Sequence, residues 1–381
     1  MRFDNSVWKK VKLGELFEIT SVIRVHESDW TKEGIPFYRA REIVSIFNNE
    51  KIEPLHISRE LYERLTKKCG VIEANNLLVT GVGTIGVPYL VKASDTFYFK
   101  DGNIIWLKND KLNGHFLYYS FQTPSVITQI KNQCGTGTVG TYTIDSAKKT
   151  TINVPNNGIQ EKIGNFLLRI DERIETQNKI IEDLKTLRKG IIDSLFASSE
   201  YEERLATFLQ ERKTYSEKGE GFEHVTLSKE GICAKTERYD RDFLVTTEDK
   251  NYKITKQNDI CYNPANLKFG VICLNTYGDA IFSPIYVTFE VKNIDPYYLS
   301  LFLTSNRFIK KALRYQQGTV YERMAVNPED FCKCKIPLND NKTIQQTTKL
   351  VSLIDLKIKT EESIIQKYKT QKDYLLANLF I

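Results

Sequence analysis

Four stretches of this chain carry residue types at spacings that could do chemistry. Gly81, Gly83 and Gly86 fit G-x-G-x-x-G, the pattern of a loop whose amides cradle a dinucleotide pyrophosphate. That chemistry needs a strand before the glycines and a helix opening directly after them, because the helix N-terminus supplies the phosphate-binding amides. Asn75–Thr80 reads as the strand, but Val87, Pro88, Tyr89, Leu90 and Val91 are β-branched and Pro-interrupted and read as a second strand. No acidic residue stands out in a following strand as a ribose ligand. The run therefore reads as a glycine-bearing hairpin turn. Tyr262-Asn263-Pro264-Ala265-Asn266 comes nearest to the Asn-Pro-Pro-aromatic signature of adenine methyl transfer. That chemistry stacks an aromatic ring on the flipped base, which Ala265 and Asn266 cannot do. Gly135 to Gly140 lacks the Lys of a phosphate loop, being followed by Thr141-Tyr142. Glu182-Asp183-x-Lys185 has the composition of a metal-nuclease triplet, yet lies in a helical repeat where such charges are solvated flanking positions.

The elements that must position these residues belong to a long chain. Its 381 residues, 41% hydrophobic and 11% aromatic, suffice for two or three domains. MRFDNSVWKK has no apolar run after its charges, and the uncharged run Leu77 to Val91 is too short and too glycine-rich to span a bilayer, so the expected compartment is cytoplasmic and no membrane is expected. Seven cysteines without a C-x-x-C, and only four histidines, argue for free thiols rather than zinc or disulfides. The net charge of +6 permits a nucleic-acid partner without demanding one. Its distribution says more. Arg307, Lys310, Lys311, Arg314 and Arg323 oppose only Glu322, with Tyr315 and Tyr321 interleaved, which suits phosphate and base contact.

The chain is written twice. An offset of 184 residues lays Ile170-Asp171 on Ile354-Asp355, Ile174 on Ile358, Ile181 on Ile365, Ile191-Ile192 on Leu375-Leu376 and Leu195-Phe196 on Leu379-Phe380. Within the first copy Ile163, Leu167, Ile170, Ile174, Gln177, Ile181, Leu184, Arg188, Ile191 and Leu195 alternate steps of three and four, a heptad seam. Val351, Ile354, Ile358, Glu361, Ile365, Tyr368, Lys372, Leu375 and Leu379 repeat it. Each helix needs a partner, and the chain supplies two. The expected arrangement is an antiparallel pair of roughly 34-residue helices, each about 50 Å long, with polar seam positions helping to fix register. The regions before the helices repeat more weakly. Gln133-Cys134-Gly135-Thr136 falls on Gln316-Gln317-Gly318-Thr319, INVP (152–155) on KIPL (335–338), Ile159-Gln160 on Ile344-Gln345, and Gly86 on Gly270. The other two glycines of the run have no counterpart, and a phosphate cradle would not be dropped from one of two copies.

The order of globular region, long helix, globular region, long helix resembles the specificity subunit of type I restriction-modification systems. The phrases that carry the resemblance run over nearly the whole chain: Trp8-Lys9-Lys10-Val11-Lys12-Leu13-Gly14-Glu15, Ile35-Pro36-Phe37-Tyr38-Arg39-Ala40-Arg41-Glu42-Ile43, Val82-Gly83-Thr84-Ile85-Gly86, and Pro155 followed by Gln160-Glu161-Lys162-Ile163. The second half departs from the pattern. It lacks the tryptophan-led opening, offering only HVTLSKEGI (224–232), and carries Thr347-Thr348 where the first half has an Ile. The resemblance implies a non-catalytic subunit with no cofactor of its own. Residues 1–157 and 199–340 would be target recognition domains, each reading half of a bipartite site in double-stranded DNA. Residues 158–198 and 341–381 would be the spacer helices and would bind modification subunits, two in number by this resemblance, that methylate adenine with S-adenosylmethionine. Restriction motor-nuclease subunits using ATP and Mg would join for cleavage.

Direct readout needs Arg or Lys for guanine and Asn or Gln for adenine, with phosphate anchors nearby. The candidates in the first region are Arg39, Arg41, Thr84, Gln133, Thr136 and Thr138. In the second they are Asn263, Asn266, Lys268, Arg314, Gln316, Thr319, Tyr321 and Arg323. Two rivals stay open: a coiled-coil interaction scaffold without DNA, and a nucleotide-dependent enzyme, which a helix opening at residue 86 would revive. The expected fold class is α+β, two pseudo-symmetric mixed α/β target recognition domains separated by a long antiparallel two-helix coiled coil.

Overall fold

The computed structural model describes residues 8–134, 140–199, 201–217, 221–235, 251–317 and 324–380. They divide into two compact units, Met1–Ile180 with Glu361–Ile381, and Ile181–Thr360. Each unit thus holds one sheet-rich region and a part of both long helices.

In the first unit, Lys9–Lys12 pairs antiparallel with Thr151–Val154. A four-stranded antiparallel sheet runs Glu18–Thr20, Ile104–Lys108, Leu77–Thr80, Pro88–Leu90. A second sheet runs Trp30–Thr31, Leu55–Ile57, Ile35–Tyr38, Tyr98–Phe99 and closes on a parallel pair. The Leu77–Thr80 strand is buried on both faces. Leu77 and Val79 point into one apolar cluster with Ile105 and Leu107, whereas Leu78 points into another with Ile104 and Trp106. Two-residue alternation between two cores is what an unbroken apolar strand requires.

The second unit builds the same set. Tyr201–Arg204 pairs with Lys335–Leu338. An antiparallel sheet runs Leu209–Glu211, Val287–Val291, Ile260–Tyr262, Ile272–Leu274. A five-stranded sheet runs Tyr215–Ser216, Tyr252–Thr255, Ala280–Phe282, Glu223–Ser228, Gly231–Ala234, again with one parallel pair. Ile260 and Tyr262 face one cluster, Cys261 the other. Tyr201–Arg204 is therefore the counterpart of Lys9–Lys12, and Leu205 repeats Leu13: Leu13 N–H donates to the Thr150 carbonyl and Leu205 N–H to the Cys334 carbonyl, both at 2.9 Å. This corrects the expectation that HVTLSKEGI opens the second half, since that stretch is the hairpin of Glu223–Ser228 with Gly231–Ala234.

Side-chain caps start equivalent helices in the two units. Asn113 and Asp295 accept from the N–H groups of Phe116 and Tyr298; Thr123 and Ser305, ten residues on, from Val126 and Phe308. Thr143 and Asn327 accept from Ser146 and Asp330. Asn156 and Asp340 then cap the long helices, Oδ1 accepting from Ile159 and Thr343 at 3.0 Å. These caps align Ile159-Gln160 with Thr343-Ile344, one residue from the expected match. Gln160 is buried, accepting from Asn113 N–H and donating to the Pro155 carbonyl, whereas Gln345 is exposed. The strand registers likewise place Ile152 on Ile336, not on Lys335.

The long helices span Asn157–Ala197 and Asn341–Asn378. They outrun the heptad seam because their caps lie before it. Within the first unit Asp171 meets Lys372 and Gln177 meets Glu361, so the helices run antiparallel. Ile163, Leu167, Ile170, Ile174 and Ile181, and Val351, Ile354, Ile358 and Ile365, are buried. Leu184 and Tyr368 are half-buried. Toward each C-terminus the buried position moves from Ile191 to Ile192 and from Leu375 to Leu376, before returning at Leu195 and Leu379. A helix of 3.6 residues per turn drifts against a strict heptad, and one four-residue step absorbs the drift.

The polar seam positions all find partners. Gln177 Nε2 donates to the buried Glu361 carboxylate. Lys372 lies 2.8 Å from Asp171 Oδ1, and Tyr119 donates its hydroxyl to Asp171 Oδ2 at 2.8 Å. In the second unit Arg188 clasps Asp355 at 2.5 and 3.2 Å, and Tyr297 donates to Asp355 Oδ2 at 2.6 Å. Each unit thus ties its globular region to both long helices through one aspartate. Ring contacts repeat beside it, Phe116 on Phe380 at 5.3 Å and Tyr298 on Phe196 at 5.3 Å.

Candidate nucleic-acid interface

The glycine run forms the turn between Leu77–Thr80 and Pro88–Leu90, with Val79 opposite Pro88. No helix opens at Gly86, so the pyrophosphate cradle is excluded on geometry. Gly83 and Gly86 take φ of +69° and +83°, which glycine adopts without strain. Thr80 Oγ1 braces the turn, donating to the Thr84 carbonyl at 2.5 Å and accepting from Val87 N–H at 2.9 Å. The Thr84 side chain is left exposed. A Cβ at Gly81 would stand 2.7 Å from the Tyr142 carbonyl oxygen, and one at Gly86 3.2 Å from Ile130. Tyr142 N–H donates to the Gly81 carbonyl at 2.9 Å. The turn, the helix Pro124–Gln133 and the chain returning at Tyr142 therefore form one tip. Gln133 ends that helix and accepts from Thr150 Oγ1 at 3.3 Å. Thr136 and Thr138 lie outside the described residues.

Arg39 and Arg41 stand at the start of the helix Ala40–Phe47. Both turn to Glu42, which is 3% exposed. Arg39 donates from Nε and Nη2 to its two oxygens at 3.1 and 2.7 Å, and from its backbone N–H at 2.9 Å. Arg41 donates from Nε at 2.7 Å, with its side chain 67% exposed. Burial alone would raise the Glu42 carboxyl, but hydrogen bonds from Arg39 and Arg41 hold it below the usual range. Arg39 is thereby a structural cation, while Arg41 keeps a guanidinium edge toward solvent.

The second unit builds its tip without the glycines. Ile260–Tyr262 leads into Asn263, whose buried Oδ1 accepts from the N–H groups of Ala265 and Asn266 at 3.1 and 3.3 Å. A 3-10 turn, Leu267–Phe269, ends at Gly270 with φ +80°, and Ile272–Leu274 returns antiparallel. Val326 N–H donates to the Pro264 carbonyl at 3.2 Å, as Tyr142 does to Gly81. Asn266 and Lys268 are exposed on the turn. Gln316 donates to the Met324 carbonyl at 2.9 Å, and Gln317 pairs with Ala325. Arg314 is exposed beside it. Thr319, Tyr321 and Arg323 lie outside the described residues. Asn263, Gln133 and Gln316 thus serve their own loops, whereas Thr84, Asn266, Lys268 and Arg314 face outward from the two tips.

Residues 5–186 match the family model described as the type I restriction modification DNA specificity domain. The match covers the first globular region and most of the first long helix. A candidate type I restriction enzyme specificity subunit of Haemophilus influenzae is 27% identical over 180 residues, 46% of this chain and 43% of that protein. The match thus spans less than half the length of that relative. A crystal structure of a type I restriction-modification S subunit from M. genitalium aligns with a TM-score of 0.62 at 18% identity, covering 100% of this chain and 98% of that one. A structure described for complex assembly and conformational transition of the type I R-M system aligns at 0.57 with 13% identity, covering 100% and 99%. The specificity fold therefore extends over both units.

Sequence reasoning missed several positions that tie each unit together. Asp171 and Asp355 stand inside the repeated Ile-Asp pair, which carried the signal, but Tyr119 and Tyr297 do not align. By their caps Tyr297 matches His115, so the two hydroxyls come from adjacent helical turns. Within the basic stretch, Arg307 donates to the Phe196 carbonyl and Lys311 lies 3.4 Å from Glu202, leaving Lys310 and Arg314 outward. Glu182 and Lys185 form an exposed pair 3.3 Å apart on the first long helix. Among the described residues, no group of three or more His, Cys, Asp or Glu is placed to hold a metal ion. No described helix is long and apolar enough to cross a membrane.

Proposed function

We propose that this chain is the DNA sequence-specificity subunit of a type I restriction-modification complex. Residues 1–157 and 199–340 each read one half of a bipartite duplex site. The observation that carries this reading is the tip built twice: a strand–turn–strand braced by the returning chain, in each unit presenting outward groups suited to base edges or phosphate. Arg41, Thr84, Asn266, Lys268 and Arg314 are the proposed contacts, with Arg41 placed for a guanine edge and Lys268 and Arg314 for phosphate. The long helices, 158–198 and 341–381, serve as spacer and as the docking surface for two modification subunits. Adenine methylation with S-adenosylmethionine belongs to those partners. Cleavage belongs to motor-nuclease subunits with ATP and Mg. This chain contributes recognition only, and the complex works in the cytoplasm.

Selection of bound duplexes from a random library, with the chain copurified with its modification subunits, tests the reading. Enrichment of two short motifs at constant spacing is the expected result. An intact complex that enriches no sequence would overturn it in favour of a protein-interaction scaffold.

A further inference from the structure

Phe269 is 62% exposed although Leu267, two residues earlier, is 0% exposed. The 3-10 turn explains both. Leu267 drives into the core with Tyr262 and Ile272, while Asn266, the N-cap of the turn, and Phe269, its last residue, are joined by the Phe269 N–H donating to the Asn266 carbonyl at 3.0 Å. Asn266 and Phe269 are thus exposed at the two ends of one short turn. Their platform is braced from both ends by the Asn263 carboxamide oxygen and by Gly270. Lys268 Nζ lies 4.9 Å from the centre of the Phe269 ring. Lys229 and Lys268 also line an adjoining groove of about 750 Å³.

We propose that Asn266 and Phe269 together read A·T pairing at one step of the half-site, the amide on adenine and the phenyl ring on the thymine methyl, with Lys268 on the neighbouring phosphate. This rests on the DNA reading proposed above. In the major groove an A·T pair presents the N7 acceptor and N6 donor of adenine beside the thymine C5-methyl, and a G·C pair presents no apolar group. An amide and an apolar ring exposed on one short turn match the first pattern and not the second. A charged neighbour close to the ring puts the phosphate anchor within one residue of the probe.

The test uses the intact complex and its selected bipartite duplex, with each thymine of the half-site read by the second unit replaced in turn by deoxyuridine. Only the methyl group is removed. Wild type should lose about fourfold in affinity at one position, the effect of one buried methyl-sized group. Phe269→Ala should bind the thymine and deoxyuridine duplexes equally. Asn266→Ala should lose about tenfold of its preference for adenine over guanine at that step, and Lys268→Ala should weaken all sequences alike. Both reading side chains are exposed, so these variants keep the core. Wild-type indifference to deoxyuridine at every position, or a penalty that survives Phe269→Ala, overturns the proposal while leaving DNA recognition intact. Failure to select any site overturns the DNA reading, and this inference with it.

Discussion

The two tips make the same backbone joint from unlike residues. In the first unit glycine supplies the freedom, with Gly83 and Gly86 at positive φ and Gly81 admitting the Tyr142 carbonyl. In the second only Gly270 remains, and an Asn263-braced turn followed by a 3-10 turn reaches the same returning strand. What is held constant is the hydrogen bond from the returning chain, Tyr142 to Gly81 and Val326 to Pro264. What changes is the outward set: Thr84 on the first turn, Asn266, Lys268 and Phe269 on the second. A fixed joint with exchangeable side chains is what a recognition module requires, since phosphate contacts set position and base-edge contacts set sequence.

The largest way to break the comparison is through the shared helices. Leu167 and Val351 are equivalent and both 0% exposed. Leu167→Ala should cost about 3 kcal/mol and Val351→Ala about 2 kcal/mol, measured by denaturant unfolding. Hydrogen exchange should localise each loss to the unit holding the substituted residue, and equal loosening of both units would show that the division into units is wrong. Arg41→Ala comes next. It should weaken recognition at one half-site by about 2 kcal/mol if its guanidinium holds a guanine, leaving the other half-site unchanged. Equal loss at both halves removes Arg41 from the reading set. A smaller effect tests the aspartate joints: Asp171→Ala and Asp355→Ala each strand a tyrosine hydroxyl and a partly exposed cation. About 1.5 kcal/mol is expected for each, again read by hydrogen exchange, and an unaffected unit would reduce its joint to a surface ion pair.

The helices were legible because a heptad is a local pattern, and the tips were only partly legible because their alignment is not. Thr123 to Thr143 spans twenty residues, whereas Ser305 to Asn327 spans twenty-two. The offset is therefore 182 ahead of that loop and 184 after it, and the Ile-Gln match, drawn at 185, and the Ile152 strand, drawn at 183, each followed shared residue types one residue away from the register that the caps and strands set. Cap residues would have carried the alignment through, since Asn113, Thr123, Thr143 and Asn156 each have a counterpart that opens the same helix. The opening strands stayed hidden for a different reason. Lys9–Lys12 and Tyr201–Arg204 are mostly exposed, with the same burial order, and share no residue type at any position. Gln133, Asn263 and Gln316 have the chemistry of base readers, and only three-dimensional placement shows the hydrogen bonds their amides make to their own loops.

The smallest predicted effect concerns Glu42 and separates the two arginines beside it. Its carboxyl is held below the usual value of 4.5 by Arg39 and Arg41 despite its burial. A carboxyl depressed in the folded state contributes stability above its unfolded pKa, and that contribution is lost as pH falls through the folded pKa. The first unit should therefore lose stability from about pH 4.5 downward, by less than ~1.4 kcal/mol per pH unit, the limit for one proton. Glu42→Gln should flatten that component, measured as the midpoint of denaturant unfolding against pH. Arg39→Ala in the wild-type background should remove most of the slope, because Arg39 makes three of the four hydrogen bonds that Glu42 accepts. Arg41→Ala should leave most of it in place. A slope that vanishes with Arg41 instead would make Arg41 the structural partner and Arg39 the better candidate for DNA.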